Sequence, residues 1–203
     1  IFVKFVEMLK DQHIMNLKEM NKFGDRNVNA IRKMPTHHII LIAQNDIGRY
    51  NLYQLITASH MTYYARRPRI PKSLINEHRE GIIIGSACEA GELYRAVLEK
   101  QSAQQIARLA DFYDYYEIQP IGNDMFMLED EKTPNINTEE DLRNVNREIV
   151  ELGEKFGKPV VATCDVHFLD PEDEVYRRII MAGKGFKDAD NQAPLFLRTT
   201  DEM

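Results

Sequence analysis

An α/β fold built on a parallel sheet is what this sequence predicts, and two patterns predict it. The runs His37–Ala43, Gly81–Ala87, Tyr115–Pro120 and Pro159–Cys164 have the length of strands, and two of them carry the continuous apolar strings Ile39-Ile40-Leu41-Ile42 and Ile82-Ile83-Ile84. Such strings suit strands covered on both faces. Between the runs, apolar residues recur at helical spacing. Strands alternating with helices in this way are the pattern of βαβ units, which place successive strands in parallel.

At the start of the chain, Phe2, Phe5, Val6, Met8 and Leu9 form a helical stripe, and Leu17, Met20 and Phe23 predict a second short helix ended by Gly24-Asp25. Residues 24–36 read as a linker closing at Pro35. After the first strand, Asn45-Asp46-Ile47-Gly48 is turn chemistry, and Leu52, Leu55, Ile56 and Met61 predict a helix over 49–61. Arg66-Arg67-Pro68-Arg69-Ile70-Pro71 must interrupt it, because proline removes a backbone donor and clashes within a helix. Helices follow the second strand at 91–100 and 103–113. The polar stretch 122–137 predicts a surface loop or hairpin. Thr138 with Asp141 resembles a capping box, and Leu142, Val145, Ile149, Leu152 and Phe156 form an apolar stripe ending at Gly157. A last helix is expected over 171–182.

The 203 residues suffice for one large domain, or a domain with an appendage. A hydrophobic share of 43% and a charged share of 29% are those of an ordinary globular protein and exclude disorder and collagen-like sequence. The net charge of -6 argues against wholesale adhesion to nucleic acid, so any DNA contact must be local. With only Cys88 and Cys164 there is no disulfide framework, and a reducing cytoplasmic setting is expected. No apolar run reaches the ~20 residues of a membrane span. Ile1–Lys10 reads as the middle or end of a helix without an initiator Met or signal-peptide pattern, so the chain is expected to come from a longer protein.

The residues with chemistry cluster after the expected strands. Asp165-Val166-His167 follows the fourth, where strand alternation puts Thr163, Asp165 and His167 on one face, and a carboxylate with an imidazole can hold zinc, manganese or iron. The same string also serves as a cap and a satisfied surface group. Cys88 follows the second strand, either as a metal-ligating thiolate or as a small buried hydrophobe. Cys164 is assigned to the core. His60 ends a helix-like run, a favourable place for positive charge. His37 and His38 begin a strand, the wrong end for a functional rim, and are expected to have ordinary roles, as are His13 and His78. Arg66, Arg67, Arg69 and Lys72, preceded by Tyr63 and Tyr64, either touch a phosphate backbone or form a solvated loop face paired with neighbouring acids. Walker A, Gly-x-Ser-x-Gly and Gly-x-Gly-x-x-Gly strings are absent, and no pair of aspartates suggests a two-metal polymerase centre.

Several strings together resemble the PolC-type family of DNA polymerase III alpha subunits of low-GC Gram-positive bacteria. They are Pro35-Thr36-His37-His38-Ile39-Ile40-Leu41, Asn51-Leu52-Tyr53-Gln54-Leu55, Ser59-His60, Arg67-Pro68-Arg69-Ile70-Pro71, Gly85-Ser86-Ala87-Cys88-Glu89-Ala90-Gly91-Glu92 and Ala162-Thr163-Cys164-Asp165-Val166-His167-Phe168-Leu169-Asp170-Pro171. The resemblance implies the later part of a PHP domain, a distorted (β/α)7 barrel into which that family inserts a 3′–5′ exonuclease. Residues 1–34 would be the last exonuclease helices and a linker, 35–198 the second part of the PHP domain, and 199–203 the start of the connection to the polymerase. Helices over residues 1–23 are then expected to pack away from the PHP core and to pair with another copy.

The resemblance also implies metal ligands at His60, Cys88, Asp165 and His167, gathered at one rim. It implies a parent that synthesises DNA with magnesium and partners such as the sliding clamp. With the earlier PHP motifs, including a His-x-His pair, outside the chain, the fragment is expected to be inactive and to hold a single zinc substoichiometrically, with manganese or magnesium as alternatives. A stand-alone PHP phosphoesterase and a purely structural PHP module are the rival expectations.

Overall fold

The computed structural model describes residues 3–9, 34–186 and 189–203. The expected helix over Leu17–Phe23 and the linker from Gly24 to residue 33 lie outside the described residues. The contacts divide the chain into two compact units, residues 1–93 with 111–114, and residues 94–110 with 115–203.

In the first unit, β1 (Val3–Leu9), β2 (Thr36–Ala43) and β3 (Ile82–Gly85) form a three-stranded sheet in that order. The segment Val3–Leu9 is therefore a strand, not the helix its stripe predicts. Phenylalanine and valine favour extended backbone as well as apolar helix faces, and the pairing partner decides: Val3 lies opposite Leu41 and Leu9 opposite Thr36, with an irregularity between Phe5 and Met8. Both pairings in this sheet are antiparallel, which corrects the expected parallel arrangement. Between β2 and β3 come two helices, α1 (Asp46–Met61) and α2 (Lys72–Glu77). The connection thus differs from a single-helix βαβ crossover, which would return the chain to a parallel strand.

The core of this unit follows from strand and helix periodicity. Ile39 and Leu41 of β2 and Ile84 of β3 are fully buried, and α1 turns Gly48, Leu52, Leu55 and Ser59 inward. Asn45 caps α1, its side chain accepting from the Gly48 amide at 2.9 Å. Gly48 then meets Gly81 backbone to backbone. A Cβ on Gly48 would stand 1.8 Å from the Gly81 carbonyl oxygen.

The second unit holds α3 from Tyr94 onward (Glu92–Leu98), most of α4 (Ala103–Phe112), β4 (Tyr116–Ile118), α5 (Glu139–Phe156), β5 (Val160–Ala162) and α6 (Glu174–Gly183). Here β4 and β5 do pair in parallel, Tyr116 opposite Val160 and Ile118 opposite Ala162. The helix α5 forms as its sequence dictates. Thr138 accepts from the Asp141 amide, the Asp141 carboxylate accepts from the Thr138 amide, and Gly157 closes the helix with φ +63°. Its buried face is Leu142, Val145, Ile149 and Gly153, the last so close to β5 that an added Cβ would meet Val160 Cγ2 at 2.3 Å. The segment 122–137 is not the surface loop expected. Two 3-10 turns, Ile121–Asn123 and Met125–Leu128, bury Asn123, Asp124 and Met127, and Thr133 and Ile136 follow them inside. The polar residues are satisfied locally: the Thr133 hydroxyl donates to the Met127 carbonyl at 2.7 Å, and the Tyr94 hydroxyl to Asp124 at 3.1 Å.

The cap makes a testable contribution. Hydrogen bonds from the Asn137 amide, the Thr138 hydroxyl and the Thr138 amide hold the Asp141 carboxyl below its ordinary value. A depressed carboxylate contributes stability above its unfolded pKa, and that contribution disappears as pH falls through the folded value. Thr138→Ala is expected to cost about 1 kcal/mol at neutral pH, with the difference from the parent shrinking below about pH 4. Urea titrations of both proteins at pH 7 and pH 3 check it; an undiminished gap in acid would remove Asp141 from the explanation.

Candidate metal centre

The loop after β3 is built to turn back on the sheet. Ala87 adopts φ +62°, a left-handed conformation that costs a residue with a Cβ, the Gly91 amide donates to the Cys88 carbonyl at 2.7 Å, and a Cβ at Gly91 would strike the Ser86 carbonyl at 2.1 Å. The His38 amide donates to the Ala90 carbonyl at 3.0 Å, so the loop runs alongside the start of β2. Cys88 Sγ consequently lies 3.2 Å from His38 Nδ1. Because β2 and β3 are antiparallel, the end of β3 lies beside the beginning of β2, and that placement gives His38 the position that the expected parallel sheet would have denied it. Cys88 is 4% exposed.

His60 has a different setting. It is exposed near the C-terminus of α1, where Nδ1 donates to the Ile56 carbonyl at 2.9 Å and the ring stacks on Tyr64. Ser59 Oγ lies 3.1 Å from the same nitrogen, so the ring is held by its own helical turn and by Tyr64 just beyond it.

In the second unit, β5 ends at Ala162, and Asp165 sits in the loop beyond with φ +50°. Strand alternation therefore does not extend to Asp165 and His167, contrary to expectation. They are brought together by the turn instead: His167 Nδ1 donates to the Asp165 carbonyl at 2.7 Å and lies 3.9 Å from the Asp165 carboxylate. A carbonyl only accepts, so this contact places the proton on Nδ1 and leaves the lone pair on Nε2. The His167 amide is anchored on the Leu195 carbonyl at 2.8 Å. Cys164 is buried, as expected for a core residue.

Two polar clusters escaped the sequence. Lys72, grouped there with the arginine loop, is only 4% exposed and forms an ion pair with Glu92, itself 3% exposed. Tyr113 is fully buried, and that burial, then the charge of the nearby Glu92, raises the phenol well above its usual pKa. In the second unit, Glu117 on β4 is buried and accepts from the Tyr115 and Thr163 hydroxyls, each at 3.0 Å. Burial, then the Glu117 charge and a hydrogen bond to it, raises the Tyr115 phenol. Neither was legible in the sequence, where Glu92 lies 20 positions beyond Lys72 and Thr163 lies 46 beyond Glu117.

The candidate ligands thus form two pairs, His38 with Cys88 in the first unit and Asp165 with His167 in the second. Among the described residues, no group of three or more His, Cys, Asp and Glu side chains is arranged to hold a metal ion. No described helix is long and apolar enough to cross a membrane.

A family model described as the PHP domain matches residues 8–129. The chain belongs to the PHP domain family. It is also similar along its length to much longer proteins named DNA polymerase III PolC-type: 54% identical to that of Clostridium perfringens over 98% of this chain, 47% to that of Caldanaerobacter subterraneus over 100%, and 37% to that of Bacillus subtilis over 98%. In each case the chain spans 14% of the relative. This PHP chain is thus of mixed α/β structure without a closed barrel among the described residues. Thiol, imidazole and carboxylate are donor types that divalent ions accept, and each pair here supplies two of them.

Proposed function

We propose that the chain is a PHP segment of a PolC-type replicative DNA polymerase, in which it supplies a metal-binding domain and not the polymerising centre. The observation that carries this is similarity over 98% to 100% of the chain to proteins of which it spans 14%. The parent would synthesise DNA in the cytoplasm, proofread through a 3′–5′ exonuclease and work with a sliding clamp, while the segment alone would be inactive. Residues 1–34 would join the exonuclease to PHP residues 35–198. Two features support a partial (β/α)7 barrel: β4 and β5 form only a two-stranded sheet, and Val175, Tyr176, Ile179 and Ile180 of α6 are exposed. Parallel sheets are normally covered on both faces. Sequencing the gene beyond both ends tests the proposal: exonuclease and polymerase motifs in the same frame are expected, and stop codons close to residues 1 and 203 would overturn it.

Within this proposal Cys88, Asp165 and His167 are metal ligands, as the resemblance implies. His38 takes the place of His60, because His38 faces the Cys88 thiol and His60 bonds to its own helix. A bound divalent ion would supply Lewis-acid polarisation of a phosphoryl oxygen. Within the first unit Cys88 would bind as thiolate beside His38, and within the second His167 would bind through Nε2, with the Asp165 carbonyl fixing that tautomer. Two half-sets bind weakly, so the isolated chain should retain zinc substoichiometrically after dialysis and lose it below about pH 6, as imidazole and thiolate take up protons. Elemental analysis is expected to show that Cys88→Ser or His38→Ala removes most of the zinc and His60→Ala does not. Loss with His60→Ala alone would restore the original ligand set.

A further inference from the structure

We propose that the outer face of α1 and the arginine loop following it form a stacking surface for single-stranded nucleic acid. The inference rests on the polymerase proposal above for its biological sense, but its observations are independent. The outward side of a solvated helix ordinarily carries Lys, Glu and Gln, whereas α1 presents Tyr50 and Tyr53 at 62% and 59% exposure. Steps of three and four residues place Tyr50, Tyr53 and His60 along one face, and the helical rise spreads them over about 15 Å. The stripe continues past the helix end. Tyr64, 48% exposed, stacks on His60 with ring centroids 6.4 Å apart and planes at 28°, and its hydroxyl donates to the Arg66 carbonyl at 3.2 Å.

The charge at the end of the stripe is positive in a chain whose net charge is -6. Arg66 and Arg67 are exposed, and Arg66 holds φ +65°, a left-handed conformation unfavourable for a residue with a Cβ. The turn is pinned by the Ala65 amide donating to the Arg67 carbonyl at 3.1 Å, and by Arg69, which donates to the Ala65 and Met34 carbonyls. Arg69 is held below its ordinary pKa by burial and by repulsion from Arg67 and Arg66, so positive charge is crowded here. Aromatic faces spaced along a helix, closed by crowded guanidinium groups, match the two features of a single strand: bases with π faces and a phosphate backbone. An acidic protein segment would satisfy the arginines but not the ladder of rings.

The test uses the 203-residue chain and a fluorescein-labelled 20-nucleotide oligothymidylate, read by anisotropy across a salt series. Tyr50→Ser with Tyr53→Ser is expected to weaken binding by about fivefold or more per tyrosine. Arg66→Asn with Arg67→Ser should lower the salt slope by about 1.4, the share of two single-strand phosphate contacts; asparagine keeps the left-handed turn accessible. Polyglutamate probes charge alone and sedimentation probes self-association. No binding at low salt, equal competition by polyglutamate with no tyrosine effect, or a tyrosine-dependent dimer without oligonucleotide binding would each overturn the surface. Because gene sequencing decides the parent separately, a polymerase gene with a non-binding chain would remove only this inference.

Discussion

Replacing Glu92 by Gln is expected to lower the unfolding free energy by about 3–5 kcal/mol, because it leaves the Lys72 ammonium buried without its counter-charge. Both side chains are almost wholly inside, at 5% and 4% exposure, and the Phe112 ring 5.0 Å from Lys72 Nζ replaces only part of the lost attraction. Domain stabilities run at about 5–15 kcal/mol, so one substitution removes a large share. The double change Lys72→Met with Glu92→Leu separates charge from packing: it should recover most of the loss, since apolar pairs of similar volume often match a buried ion pair. Alkali supplies a second arm. Tyr113 has its folded pKa raised, so its contribution is complete below the unfolded value of about 10 and is lost as pH rises through the folded one. Urea titrations at pH 7 and pH 11 measure both effects; a Glu92→Gln protein as stable as the parent would show that the cluster does not hold the unit together.

The contact between Gly48 and Gly81 predicts a loss of similar size from adding one methyl group. Alanine at a helical position ordinarily gains about 1 kcal/mol over glycine. At Gly48 that gain is overwhelmed, since the new Cβ would lie 1.8 Å from the Gly81 carbonyl oxygen and 2.5 Å from its carbon. Backbone atoms cannot swing aside as a side-chain end does, so α1 must shift from β3 at a cost of about 3 kcal/mol. Gly81 cannot yield by its own substitution either, being at φ +71° with Asn45 Oδ1 2.4 Å from its ideal Cβ. The control is Gly183→Ala at the end of α6, where nothing lies within 4 Å and the change should be neutral or stabilising by up to about 1 kcal/mol. Thermal unfolding of the two variants side by side decides it; equal midpoints would mean that the close approach is not maintained in solution.

What the sequence determined by itself was whatever depends on neighbours in the chain. Thr138, Asp141 and Gly157 place both ends of α5 because a capping box and a left-handed C-cap are closed within a few residues. The positions of β2 to β5 follow from runs of β-favouring residues. The direction of pairing does not, since an apolar run serves either sheet type; β2 and β3 prove antiparallel only once the chain is packed. That decision moved the candidate site. It set Cys88 beside His38, 50 residues away in the chain, where a parallel sheet would have separated strand end from strand start. Asp165 and His167 were legible as neighbours, but the left-handed turn at Asp165, and not strand alternation, brings them together. Lys72 shows the same division, being one of a basic group in sequence yet drawn inside by Glu92, a partner only folding can supply. Local hydrogen bonds and hydrophobic period are written in the order of residues, whereas long-range electrostatic partners and strand direction are settled only when the chain packs.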